Sequence, residues 1–344
     1  MTDVDPQAVP SDEAWQALRT LLSGTSKATA PSEELARAAV LGQVEVLALE
    51  ALPALGAWLE AAVRQRLEQS VTVGFAEARV AEVMADAQAD RWVALKGSAS
   101  AHTLYGDSSH RARRDVDVLV HPEEVARVSE AALAAGWEDV THATHLAGSG
   151  QRPYEREWLV PLGAHRVGCD VHQRLLRWTE FRVDVDAVIE RGCALESGWR
   201  VCAPSDLLIH TALHAANAAF RVPLRSWLDV QRLVSGAELD WEHVLRTSQA
   251  WHAKRCVWAA LVICQRWFDA SPPQEVMDEL SPGDRAAQRL KRLLGGRGQW
   301  PVCGRASRFG RARTRMRLRD VPTDALSYVW QTVIRELQQG QKGS

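Results

Sequence analysis

Two aspartates that alternate with apolar residues give this chain its clearest capacity for chemistry. Asp115 and Asp117 lie in the run Asp-Val-Asp-Val-Leu-Val, which ends at Val120. Successive side chains of a β-strand point to opposite faces, so the two carboxylates share one face about 7 Å apart. Carboxylates at that spacing repel each other and favour a bound cation. Ligands that offer only oxygen favour a hard cation such as Mg²⁺.

A short turn that precedes these aspartates is the second element with chemical capacity. The apolar run at residues 92–95 meets Lys96-Gly97-Ser98, and the small residues that follow are typical of a helix start. Gly97 and Ser98 are therefore predicted at a strand-to-helix turn, where backbone N–H groups can hold phosphates. Because protein-bound Mg²⁺ often takes its remaining ligands from substrate phosphates, the turn and the aspartates together predict a site that handles nucleotides.

Length and composition place the chain among ordinary soluble globular proteins. It has 344 residues, 46% hydrophobic and 24% charged, which suffices for one elaborated domain or two. The net charge of −2 gives no overall attraction to nucleic acid or membranes. The sequence shows neither a secretory leader nor an apolar run of about 18 residues, so neither export nor a membrane span is predicted. Six scattered cysteines without a C-x-x-C pair predict reduced thiols and a cytoplasmic location.

Local patterns predict five regions and place the candidate carboxylates in the third of them. The core is expected to contain strands at 92–95 and 115–120 and a hairpin at 158–172. In the second strand of that hairpin, Asp170 and His172 share a face, which adds a third carboxylate. The predicted regions are a disordered N-terminus (1–10), an N-terminal helical region (11–90), the core (91–200), a helical domain (201–294), and an arginine-rich segment with a C-terminal helix (295–344).

Several short motifs between residues 95 and 229 resemble those of one protein family, and the resemblance covers about residues 35–235. They are Leu95-Lys96-Gly97, Leu104-Tyr105-Gly106, Arg111, the Asp115–Val120 run, Asp170-Val171-His172, Leu213-His214-Ala215-Ala216 and Trp227-Leu228-Asp229. In these motifs the chain resembles the bacterial family of uncharacterised nucleotidyltransferases, within the superfamily related to DNA polymerase beta. The resemblance implies an α+β fold, with a mixed β-sheet core flanked by helices and helical regions at both ends. The interval from Ser98 to Asp115 is longer than is usual in the superfamily.

The resemblance also implies a reaction and a role for each candidate residue. An NMP would move from an NTP to an acceptor hydroxyl or phosphate, with release of pyrophosphate. Asp115, Asp117 and Asp170 would be the catalytic carboxylates and would hold one or two Mg²⁺ ions, and Asp170 would help to deprotonate the acceptor. The implied nucleotide-binding residues are Lys96, Gly97, Ser98, Arg111, His172, His214 and Asp229.

The identity of the acceptor and the occurrence of turnover stay open at this stage. A small-molecule acceptor fits the near-neutral charge of the whole chain. An RNA or protein acceptor, as in toxin-type members of the superfamily, would use the seven arginines within residues 305–319, which otherwise form a solvated basic face. A third possibility is a non-catalytic module that binds nucleotide without turnover.

Structural alternatives also exist for individual residues. Arg111 could be a solvated loop charge or a partner of Asp107. Asp229 could belong to a salt-bridged helix surface. His210 and His214 have the i, i+4 spacing of two metal ligands on a helix, but the sequence shows no third ligand, which favours a core or pocket-lining role for His214.

Overall fold

A computed structural model of the chain describes residues 10–24, 30–141, 154–176, 180–236, 239–268, 270–294, 308–326 and 328. Four helices precede the first strand: α1 (Asp12–Leu22), α2 (Glu33–Gly42), α3 (Glu45–Ala51) and α4 (Gly56–Asp86). Serine side chains cap the first two helices, because the hydroxyls of Ser11 and Ser32 accept the N–H groups of Ala14 and Leu35.

One mixed sheet forms the centre of the described structure. Its strands are β1 (Trp92–Ala94), β2 (Asp115–Val120), β3 (Glu138–Asp139), β4 (Glu155–Leu162), β5 (His165–His172), β6 (Cys193–Ala194) and β7 (Arg200–Val201). Within the described residues the strand order is β3-β4-β5-β2-β1-β7-β6. The pairs β2/β5 and β1/β7 are parallel and the other neighbours are antiparallel. This mixed sheet among many helices confirms the predicted α+β class.

Helices pack against the sheet and bury its apolar residues, with α4 against β2, β4 and β5. α5 (Lys96–Thr103) follows β1, α6 (Val125–Ala134) follows β2, and α7 (Val185–Glu190) precedes β6. The later helices are α8 (Pro204–Asn217), α9 (Leu224–Gly236), α10 (Trp241–Ala250), α11 (Lys254–Phe268), α12 (Gln274–Leu280), α13 (Asp284–Leu293) and α14 (Arg308–Arg317). Val116 and Val118 of β2 are fully buried, so the face of β2 opposite its aspartates belongs to the core.

The long helix α4 buries two charged residues among its apolar ones, while some of its large apolar residues are exposed. Val71 and Phe75, which fit the apolar periodicity, are 60% and 64% exposed. Arg66 and Glu77 are buried instead, because Arg66 Nε bonds Glu45 Oε1 at 2.6 Å and Glu77 Oε1 accepts Arg113 Nη1 at 2.5 Å. The second contact ties α4 to the loop that leads into β2.

The C-terminal predictions have a mixed outcome. The arginine-rich segment had no predicted element of its own, yet residues 308–317 form helix α14. The last helix was predicted from about residue 324 to 338, and residues 322–326 are helical, while residues 329–344 lie outside the described part. The N-terminal residues 1–9, predicted to be disordered, also lie outside it. Across the described residues, no helix has both the length and the apolar character needed to cross a membrane.

Gly192, which links α7 to β6, has no room for a side chain, and this predicts a test of the packing. A Cβ there would lie 2.3 Å from Val93 Cγ1 and 2.9 Å from the Ile189 carbonyl oxygen. We expect Gly192→Ala to lower the free energy of unfolding by about 1–3 kcal/mol in urea denaturation. Gly74→Ala is the control, because Gly74 lies within α4 with no atom near its Cβ position, and should stabilise by about 0.5–1 kcal/mol. Equal effects of the two substitutions would contradict this packing.

Candidate active site

The parallel register of β2 and β5 brings the predicted carboxylates to one face of the sheet. Asp117 is paired with Asp170, and two residues earlier Asp115 is paired with Gly168. His172 is paired with Leu119, in the same alternation as the aspartates. Because residues paired across neighbouring strands project to the same side, Asp115, Asp117, Asp170 and His172 share one face.

Asp117 is the centre of the hydrogen bonds on this face. The Lys96 ammonium donates to its Oδ1, and His172 Nε2 lies 2.9 Å from the same oxygen. Lys96 Nζ is 3.3 Å from His172 Nε2. The bond from His172 to the carboxylate requires the Nε2–H tautomer of the imidazole, which leaves Nδ1 without a proton. His172 is fully buried and Asp117 is 4% exposed, so both side chains have fixed orientations.

Burial and neighbouring charges shift the pKa values of the three aspartates on this face in different directions. Burial and the charge of Asp117 raise the pKa of Asp170 to about 8. Asp115 is accessible to solvent, yet the surrounding protein and Asp117 raise its pKa as well. Burial alone would raise the pKa of Asp117, but the Lys96 ammonium and the hydrogen bond from His172 outweigh it and hold that pKa well below its usual range.

These residues form a group that can hold a metal ion. One ligand atom each from Asp117, Asp170 and His172 lie within 4.8 Å of one another. Asp117 and Asp170 lie opposite each other, and the lysine that reaches them bonds Asp117. A cation fits there, because it would offset the burial and the repulsion from Asp117 that raise the pKa of Asp170. Elsewhere in the described residues, no three possible metal ligands lie close enough to share an ion. His210 and His214 therefore have no third metal ligand there.

The backbone at Lys96 adopts a conformation that is uncommon for a residue with a side chain. Its φ is +43°, in the left-handed region, at the first residue of α5. Such a conformation costs on the order of 1–3 kcal/mol and persists where the surroundings hold it. Here the ammonium group is held by Asp117. Burial alone would lower the pKa of Lys96, but Asp117 outweighs it and raises that pKa, so the side chain stays charged.

The predicted phosphate turn is only partly accessible. Gly97 is half-buried at the start of α5, against the side chains of Arg111 and Arg113. Ser98 is completely buried. Gly97 is therefore the part of the turn that a ligand can reach in this conformation, and contact with Ser98 would require movement of α5.

Arg111 and Asp229, both predicted to contact nucleotide, instead contact each other. Arg111 Nε donates to Asp229 Oδ1 at 2.8 Å and Nη2 donates to Oδ2 at 2.6 Å. Tyr105 OH donates to the same carboxylate at 3.0 Å. Arg111 is 5% exposed and Asp229 2% exposed, so the pair is a buried link between the loop before β2 and helix α9. The proposed alternative pairing of Arg111 with Asp107 is wrong. The nucleotide-binding role of Arg111 and Asp229 stays a prediction.

His214 on α8 lies close enough to Lys96, Asp117 and His172 for their charges to act on it. Its imidazole is accessible to solvent, yet desolvation by the surrounding protein and the Lys96 charge lower its pKa to about 4. His210, one turn earlier, is 1% exposed, and neither ring nitrogen has a hydrogen-bond partner within the described structure. His214 therefore lies near Lys96, and His210 is buried; the nucleotide-binding role of His214 stays a prediction.

The sequence comparison agrees with this geometry. The chain matches the family model described as uncharacterised nucleotidyltransferase over residues 32–269. It belongs to this family. The match includes β1, β2, β5, α8 and α9, and therefore every candidate residue above. The chain matches no curated protein and no solved structure.

The structure of this family member adds three residues that sequence reasoning missed. Glu155 and Glu157 of β4 are paired with His172 and Asp170, so both lie beside the aspartates, and the Tyr154 ring meets the His172 ring edge-on at 5.3 Å. Burial raises the pKa of Glu155 to about 7. A signal for the glutamates was present in the sequence, because a two-residue turn at 163–164 fixes which residues face each other in the hairpin.

The raised pKa of Asp170 predicts that divalent-cation affinity depends on pH. Below about pH 8 the cation-free Asp170 carboxyl holds a proton that a bound cation must displace. The affinity for the cation should therefore rise from pH 7 to pH 8 and level off at higher pH. Isothermal titration calorimetry with Mg²⁺ or Mn²⁺ in buffers of different ionisation enthalpy measures both the affinity and the released protons. Asp170→Asn should lose most of the pH dependence, and a pH-independent wild-type affinity would contradict the assignment.

The buried pair of Arg111 and Asp229 predicts a stability effect that is separate from nucleotide binding. Asp229→Asn leaves a buried guanidinium without its counter-charge, so we expect a loss of about 3–5 kcal/mol in the free energy of unfolding without ligand. Arg246→Met, which removes an exposed pair with Glu242, is the control and should change stability by about 0.5 kcal/mol or less. A neutral Asp229→Asn variant would show that the pair is not a structural link.

Proposed function

We propose that this protein transfers an NMP from an NTP to an acceptor hydroxyl or phosphate, with Mg²⁺, and releases pyrophosphate. The observation that carries the proposal is the register that sets Asp117 opposite Asp170, with Asp115 on the same face. Membership of a nucleotidyltransferase family supports the same reaction class. The free thiols of the five described cysteines and the need for NTP support a cytoplasmic location.

Asp115, Asp117 and Asp170 are the residues proposed to hold one or two Mg²⁺ ions. Their donor atoms are all oxygens, which Mg²⁺ prefers over the imidazole nitrogen of His172. His172 already donates Nε2–H to Asp117, so its proposed role is to orient that carboxylate. A divalent cation bound there supplies charge that stabilises the attacking and leaving oxygens.

The proposed step exchanges one bond to the α-phosphorus for another. The acceptor oxygen attacks the α-phosphorus, and the bond from that phosphorus to the oxygen bridging to the β-phosphate breaks, so pyrophosphate leaves with the bonding electrons. The acceptor proton passes to a carboxylate oxygen of Asp170. Asp170 is proposed for this role because β5 sets it directly opposite Asp117, on the face proposed to hold the cations.

Lys96, Gly97 and Arg225 are proposed to bind the triphosphate. Lys96 and Gly97 begin α5 beside Asp117, and the Gly97 N–H is the accessible part of the turn. Arg225 Nη1 donates to the Ala112 carbonyl oxygen at 2.8 Å, but within the described structure Arg225 forms no ion pair with a carboxylate. Burial and the nearby Arg111 lower the pKa of Arg225 to about 9, an effect that an anionic ligand would offset.

A small-molecule acceptor is the favoured substrate class, because a chain with a net charge of −2 has little overall attraction for a polyanion. RNA is the second candidate, and the observation that favours it is the local concentration of arginines beyond residue 284. A nucleotide-binding module without turnover is disfavoured, because such a module would have no need for three carboxylates on one face.

Nucleotidyl transfer can be tested with α-labelled NTPs, Mg²⁺, and small-molecule and RNA fractions of a cell extract as acceptors. We expect label to move to an acceptor and pyrophosphate to be released. Asp115→Asn/Asp117→Asn should lower both signals at least about 100-fold. The matched control is Asp86→Asn/Asp284→Asn, which removes two exposed aspartates and should keep full activity.

Two outcomes would decide against the proposal. If pyrophosphate release is the same in the wild type and the Asp115→Asn/Asp117→Asn variant, the assigned carboxylates do not catalyse transfer. If the wild type binds NTP but moves no label to any fraction, the non-catalytic module is the correct reading. Thermal denaturation of each variant checks that the comparison is made between folded proteins.

A further inference from the structure

The positive charge of this chain is concentrated near its C-terminal end. Residues 285–319 contain twelve lysines and arginines and no aspartate or glutamate. This segment contributes +12 and the other residues −14 to the formal net charge of −2. The near-neutral net charge is therefore the sum of a strongly basic segment and an acidic remainder of the chain. Such separation creates a local positive potential that the total charge does not reveal.

The first half of this segment forms a basic stripe along α13. Arg285, Arg289 and Arg292 follow the helical spacing i, i+4, i+7 and are exposed. Ala287 and Leu290 are buried on the opposite side. The helix therefore packs through its apolar residues and presents its arginines to solvent.

Arginines of α14 extend this stripe. Arg313 and Arg317 are one helical turn apart, and partial burial with the charges of Arg313 and Arg289 lowers the pKa of Arg317, so the cations of the two helices lie close together. None of these arginines forms an ion pair with a carboxylate in the described part of the chain. Arg315 Nε is also buried without a hydrogen-bond partner there. Like charges gathered in this way repel each other and are stabilised by a shared anion.

We propose that helices α13 and α14 form a binding surface for the phosphate backbone of a nucleic acid. Arginine presents a planar fork of N–H donors that matches phosphate, and several in a row match a chain of phosphates. A membrane surface fits less well, because a membrane-bound helix needs a broad exposed apolar face. Among the described residues of α13 and α14, Met316 is the large apolar side chain that is exposed, at 38%.

The surface is separate from the carboxylate cluster. α13 packs on α11, and α11 packs on α8, the helix that carries His214. The family match ends at residue 269, so α13 and α14 are an addition to the part shared with the family. Binding at this surface does not rest on the proposed transferase reaction. It would anchor a nucleic acid whether that molecule is the acceptor or only a scaffold.

The proposal is tested by fluorescence anisotropy with the full chain and a labelled single-stranded RNA of about 20 nucleotides, longer than a single binding surface. At about 50 mM salt we expect saturable binding that weakens steeply as salt rises. Arg289→Gln/Arg313→Gln/Arg317→Gln should weaken binding at least tenfold. It should also reduce the slope of log K against log salt by about 2, because each lost phosphate contact on a single strand contributes about 0.7.

A charge-matched control separates this surface from general electrostatics. Arg64→Gln/Arg166→Gln/Arg246→Gln removes three exposed arginines of α4, the β4–β5 hairpin and α10, and should bind RNA as the wild type does. The Asp115→Asn/Asp117→Asn variant should also bind RNA normally, so a failure of the catalytic proposal leaves this one intact. Urea denaturation confirms that both triple variants remain folded.

Several results would overturn the proposal. They are an absence of RNA binding at low salt, an equal loss of RNA affinity in the control variant, or a protein that binds phosphatidylserine vesicles but does not bind RNA. Salt-sensitive self-association without RNA binding, measured by sedimentation, would show that the surface meets the acidic part of a second copy. Parallel titrations with duplex RNA and duplex DNA then identify which nucleic acid the surface prefers.

Discussion

The structure of the site depends on the parallel pairing of β2 with β5. This pairing sets Asp117 directly opposite Asp170, and the hairpin partner β4 adds Glu155 and Glu157 beside them. Carboxylates that close repel each other, and in this structure the Lys96 ammonium is the cation that offsets the repulsion. The cost of that arrangement appears as the raised pKa of Asp170 and as the left-handed backbone of Lys96. Strained backbone and unfavourable charge of this kind cluster at sites that bind ligands, which agrees with the proposed function of this face.

Buried ion pairs around the loop before β2 hold this face in position. Arg111 is fixed to Asp229 of α9, and Arg113 is fixed to Glu77 of α4. The two arginines flank Ala112, only a few residues before Asp115, so α4 and α9 together determine where β2 begins. Such pairs contribute little net stability, because desolvation offsets much of the attraction, but each fixes one geometry. The burial of Glu77 on α4 follows from the same need to hold the loop before β2 in one position.

Features with local causes could be predicted from the sequence, and those with distant partners could not. The limits of β2 follow from alternating apolar residues, and the caps at Ser11 and Ser32 follow from adjacent residues. The partner of Arg111 is 118 residues away, and no local pattern distinguishes Asp229 from Asp107 as its counter-ion. Glu155 and Glu157 are intermediate cases, because only the hairpin register relates them to His172 and Asp170. The facing of α4 depends on tertiary contacts, which override the apolar periodicity.

The charges left without partners indicate which cations are available to an anionic substrate. An NTP that approaches a face of carboxylates is repelled unless cations are already present. Arg111 contributes little there, because Asp229 cancels its charge within a buried pair. Arg225 lies in the same region and forms no ion pair with a carboxylate in the described structure. Lys96 already donates to Asp117, so only part of its charge is available to the NTP. Of the two arginines, Arg225 is therefore the better electrostatic match for phosphate, although Arg111 is the one that belongs to the family-like motifs.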